Sequence, residues 1–127
     1  VRLKHDIQDR LDVQKLVHTF YSKVNTDAIL EPYFNEIVKV NWDDHLPKMV
    51  NFWENILFGI GNYSGNPMKV HQNIHSRKVM DHTAFMRWLD LFHRTVNEHF
   101  EGENAERIKQ RAQSIATIME IKVNTSF

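Results

Sequence analysis

The 127 residues contain no cysteine. That absence excludes disulfides, thiol nucleophiles, iron–sulfur clusters, thiolate zinc sites and covalent cofactor attachment through a C-x-x-C-H motif, and it fits a reducing compartment. Charge of one sign is not in excess either. Sixteen basic and sixteen acidic residues cancel, and like charges nowhere gather into a long run, so neither nucleic acid nor a polybasic membrane contact is expected. No apolar run is long enough for a membrane span or a signal-peptide core, which makes a cytoplasmic location the expectation. Several chemistries are missing by motif: paired Glu-x-x-His of a di-iron bundle, His-Glu-x-x-His, a serine in a nucleophile elbow, and a glycine-rich phosphate loop. Period-2 strand patterning, internal repeats and low-complexity segments are absent too.

What is there reads as a single all-α domain over residues 1–127, with 42% hydrophobic and 25% charged residues. Residues 1–11 form an N-terminal extension or a loose helical turn. Asp12 is a candidate N-cap for a helix carrying Val13, Leu16, Val17, Phe20 and Val24 at helical spacing, with Tyr21 at the edge of the stripe. Pro32 opens a short helix to about Val38. Asn41 caps the strongest helix, with Asp43 and Asp44 in its first turn and Trp42, His45, Leu46, Met49, Val50, Phe52, Trp53, Ile56 and Leu57 on a wide inward face. Pro47 in the second turn can cost a hydrogen bond and bend that helix, and Gly59 and Gly61 end it. Asp81 caps a helix presenting Phe85, Trp88, Leu89, Phe92, Val96 and Phe100, stopped at Gly102. The last helix runs from about Asn104 to Ile121, with Ile108, Ala112, Ile115, Ile118 and Met119 inward.

Between the second and third long helices, Pro67–His75 reads as a short helix capped by Asn66. It sets His71 among Met68, Val70 and Ile74. A neutral imidazole on a short anchored helix facing an apolar interior suits a haem iron. A packed or surface histidine is the competing reading, and His71 with His75, four apart, could chelate a metal ion if a third ligand were supplied. Other helices add weight to the haem reading. Tyr21, His45 and Trp88 each carry an O–H or N–H that needs a partner when buried, and each lies among bulky apolar neighbours. Three such groups on three helices make sense if they converge on a polar ligand in an apolar pocket. A haem-free helical interaction domain, with these residues as plain core, is the rival from another class.

In order along residues 6–120, the chain carries Phe20-Tyr21, Pro32-x-Phe34, Trp42-x-x-His45, Asn51-Phe52-Trp53, Gly61-x-Tyr63-x-Gly65-x-Pro67-x-x-x-His71, Trp88-Leu89-x-Leu91-Phe92 and Arg111-Ala112-x-x-Ile115-Ala116. This ordered set resembles the third group of truncated haemoglobins. The resemblance implies a two-over-two helical sandwich around haem b, reversible binding of O₂, NO and CO, and His71 as the proximal iron ligand. It makes Tyr21, His45 and Trp88 the distal residues. Tyr21 and Trp88 would donate to the ligand, and His45 would be a third donor, a swinging gate or an iron ligand. Phe34 would pack on the porphyrin, Lys48 would pair with a propionate, and Met49 and Phe52 would line the distal side. Trp53, His75, Arg77 and Phe85 complete the expected cofactor contacts. The double-glycine motifs of other truncated groups are absent. Pro47 and a long Ser76–Met80 loop depart from the family pattern at the haem edge. NO dioxygenation or peroxide reduction, served by a reductase, would be secondary to ligand binding, and the expected state is a monomer or weak dimer.

Overall fold

Asp9 starts the first helix, three residues ahead of the expected cap. Its extended backbone (φ −156°, ψ −175°) lets the side chain accept the Asp12 N–H at 3.2 Å. Asp12 falls in the first turn and accepts the Gln8 N–H at 2.9 Å. Asp9 and Asp12, three apart, thus each satisfy a backbone amide at the helix start, and Asp9 rather than Asp12 is the cap. The computed structural model describes the backbone of residues 4–37, 39–59 and 82–125, and their side chains except at 36, 37 and 122–125. The expected Pro67–His75 helix, the cap Asp81 and the Ser76–Met80 loop lie outside the described residues.

Helix α1 (Arg10–Thr26) buries Val13, Leu16, Val17, Phe20, Tyr21 and Val24, the predicted stripe with Tyr21 drawn fully in. Residues 4–8 are not helical, contrary to the expected turn. The segment instead braces the start of the last helix. The Asp6 carboxylate accepts the Asn104 and Ala105 amides at 2.8 Å each, and Asn104 Nδ2 donates to Ile7 O at 2.8 Å. Asp6 therefore satisfies orphan first-turn donors of the last helix.

Pro32 opens a short helix as expected, but Pro32–Ile37 is π-helical. Helix α2 (Trp42–Phe58) is capped by Asn41 and closed by Gly59, whose left-handed φ of 69° allows its N–H to reach Asn55 O. Pro47 sits within it without ending it. Helices α3 (His82–His99) and α4 (Glu103–Thr125) follow. Ile118, expected inward, is 45% exposed, because Ala105, Ile108, Ala112, Ala116 and Met119 take the buried face.

Helix α1 packs on α2 and on α3, while α4 packs on α3 and on α2. The four close a ring of neighbours as two pairs laid one over the other, an all-helical two-over-two sandwich among the described residues. Phe92 sits at the crossing. Its ring is fully buried, 5.1 Å from Phe20 (edge-on), 5.0 Å from Trp53 and 5.7 Å from Trp88 (both stacked). One α3 side chain thereby joins α1, α2 and its own helix.

Candidate haem pocket

Two rings from different helices carry the polar face of the site. Tyr21 on α1 and His45 on α2 meet edge-to-face with centroids 5.3 Å apart. The spacing that put Tyr21 next to Phe20 turns the phenol toward α2, where His45 lies one turn beyond Trp42. Trp42 touches both, at 5.2 Å from Tyr21 and 5.6 Å from His45, and Phe34 from the π-helix closes the group at 6.3 Å from Tyr21. Trp88 joins through Phe20, which meets Trp88 at 5.6 Å and Tyr21 at 4.9 Å.

Burial pushes the Tyr21 phenol far above its ordinary value of 10.0, because a phenolate could not be solvated there. The group therefore remains a neutral O–H, able to donate. Trp88 is 5% exposed, and its indole Nε1 is buried with no hydrogen-bond partner among the described residues. An indole can only donate, and leaving a buried donor unmatched costs roughly 1–3 kcal/mol. A core position that only needed bulk would be filled at less cost by phenylalanine or leucine. An unmatched donor fits a site whose acceptor arrives with a ligand.

The other expected contacts spread along α2 and α3. Met49, Trp53 and Phe85 are buried, and Phe52 is partly buried beside Trp53 at 5.0 Å. Lys48 is exposed and its Nζ donates to Asp44 Oδ2 at 2.9 Å, one turn back on α2. His71, His75 and Arg77 lie outside the described residues. No group of three or more His, Asp or Glu able to hold a metal ion occurs among the described residues.

Sequence reasoning missed the amides beside this cluster. Trp42 Nε1 donates to Asn35 Oδ1 at 2.7 Å, and Asn35 Nδ2 donates to Asn25 Oδ1 at 2.8 Å. The sequence puts Trp42 on the inward face, and its spacing of three from His45 is the available signal. Nothing local marks Asn25 and Asn35 as partners.

The family model described as "Bacterial-like globin" matches residues 6–121. The group 3 truncated hemoglobin ctb of Campylobacter jejuni is 34% identical to this chain over 118 residues, 91% of each sequence. This chain belongs to the group III truncated haemoglobins. The crystal structure of a group III truncated hemoglobin from Campylobacter jejuni is similar to it with a TM-score of 0.83 and 32% identity, over 95% of both chains. A truncated haemoglobin is a haem-based gas-binding globin, and the four-helix sandwich described above is the frame of that fold. None of its described helices is long and apolar enough to cross a membrane.

Proposed function

We propose that this globin binds O₂, NO and CO reversibly at haem b, with His71 as the proximal ligand and Tyr21, His45 and Trp88 on the distal side. The buried Trp88 N–H, unmatched among the described residues, carries the reading. Haem, when bound, supplies an iron that takes up a diatomic gas and returns it. The chain's part is to hold donors where the ligand's negatively polarised end lies. Trp88 can only donate, and Tyr21 stays protonated because its phenol is raised by burial. Phe34, Met49, Phe52, Trp53 and Phe85 would exclude water around the cofactor, and Lys48, His75 and Arg77 would lie at its polar edge.

A hydrogen bond to a charged acceptor is worth about 1.5–3 kcal/mol, so each donor should slow ligand escape about ten- to a hundredfold. Stopped-flow O₂ dissociation from Trp88→Phe and Tyr21→Phe tests this, with faster release expected from both. Unchanged release in both would overturn the distal assignment. On the other side, His71→Ala is expected to abolish stable haem uptake, read as loss of the haem absorption band after reconstitution.

A further inference from the structure

The amides of Asn25 and Asn35 form a hydrogen-bonded chain that ends on an aromatic wall of the site. Asn25 lies on α1, Asn35 on the π-helix and Trp42 at the start of α2, so the chain links three elements through bonds of 2.8 and 2.7 Å. The π-helical turn has a wider loop than an α-helix, and π-turns recur at functional positions. Here Val40 N–H bonds back to Phe34 O at 2.8 Å, which folds the chain so that Asn35 lies beside Trp42. The indole is then fixed at one edge by its N–H and at its faces by three rings: Tyr21 at 5.2 Å, His45 at 5.6 Å and Phe34 at 6.1 Å.

We propose that Trp42, locked by the Asn35–Asn25 amide chain, is a positioning residue that confines the His45 ring and so sets the rate at which ligands enter the pocket. The inference rests on the haem-pocket reading and adds a control element to it. His45 lies one turn from Trp42 on the same helix face, and its Nε2 is buried. The imidazole lies against the indole at 5.6 Å and 80°, so a swing toward that side meets Trp42. An indole held by its N–H cannot turn aside without breaking the bond to Asn35, and Asn35 cannot follow without breaking the bond to Asn25. The lock therefore adds to the barrier for opening. Trp42 acts on the ligand only through His45, and Asn35 only through Trp42.

Three variants separate the lock from simple packing. Trp42→Phe keeps a ring against His45 but removes the N–H; Asn35→Ala and Asn25→Ala remove the acceptor and its support. Each is expected to speed CO association after flash photolysis about three- to tenfold, the factor that loss of one ordinary hydrogen bond brings. The Trp42→Phe/Asn35→Ala double variant should be no faster than either single one, because both break the same bond. A second readout is independent of rates. In nitrogen-15 NMR spectra of the haem-loaded, CO-bound protein, the Trp42 indole N–H, assigned by its loss in Trp42→Phe, should be protected from solvent exchange and lose protection in Asn35→Ala. Unchanged association rates with unchanged indole protection would overturn the proposal, as would additive effects in the double variant. Failure of the pocket reading itself is distinguishable, since it would show as Trp88→Phe and Tyr21→Phe leaving O₂ release unaltered.

Discussion

Tyr21 and Trp88 carry their polar atoms into the same aromatic core, and each is constrained by what that core withholds. The Tyr21 phenol is denied solvent, so its ionisation is pushed well above 10.0. In linkage terms a folded value raised above the unfolded one contributes stability that is present below about pH 10 and is lost as pH rises further. The Tyr21 contribution to O₂ release should consequently be flat from about pH 7 to 9, and Tyr21→Phe should soften the loss of stability above about pH 10, measured by denaturant titration across that range. Both residues were legible because a polar tip beside an apolar stripe is visible in a single sequence. Gly102 illustrates what was not. Its place in the sequence marks a helix stop and no more, yet its φ of 144° and its approach to Asp6 leave no room: a Cβ there would lie 2.5 Å from Asp6 Cγ. Gly102→Ala should cost about 1–3 kcal/mol in urea unfolding, because either the strained backbone or the Asp6 contact to α4 has to yield.

At the level of helices, the Asp27 carboxylate at the end of α1 ties that helix to α3. Asp27, 9% exposed, accepts the Ile29 and Leu30 amides at 3.1 Å and the Arg87 guanidinium at 2.7 Å. Burial raises its ionisation, but the Arg87 hydrogen bond, the Leu30 N–H, the Arg87 charge and the Ile29 N–H outweigh that and hold it below the ordinary 3.8. A depressed folded value gives stability that is present above 3.8 and lost as pH falls through the folded value. Asp27→Asn should therefore destabilise at neutral pH, by about 1.5–3 kcal/mol for the charged hydrogen bonds, and the gap from wild type should narrow below about pH 4. Denaturant midpoints at the two pH values check it. Phe92 joins the same elements by packing, and Phe92→Ala should cost about 3–5 kcal/mol. The helices themselves were readable because period 3.6 leaves its mark within each segment. Their ties were not. Glu54 on α2 is 6% exposed and accepts Arg10 Nη1 at 2.7 Å across 44 residues of chain. Helical periodicity says which face turns inward, and a partner on another helix leaves no local trace. Ile118 fails for a related reason: small residues at 105, 112 and 116 let α4 lie close to its neighbours on their own face, leaving the isoleucine outside.

For the molecule as a whole, the ordered set of motifs carried more than any element did, since the fold follows from residues spaced over nearly the full chain. A ligand that binds only the folded form stabilises it by mass action. Reconstitution with haem should accordingly raise the thermal midpoint of the wild-type protein and leave that of His71→Ala unchanged in a melting experiment with and without haem.

The Asp6 clasp has a consequence for how the chain can be born. Its two acceptor bonds span 98 and 99 positions, so during translation the carboxylate emerges long before the amides it will serve. Contacts of such separation form late and slow the search for the native state. The segment ahead of α1 must wait for the start of α4, and the sandwich is latched only when those two stretches have met.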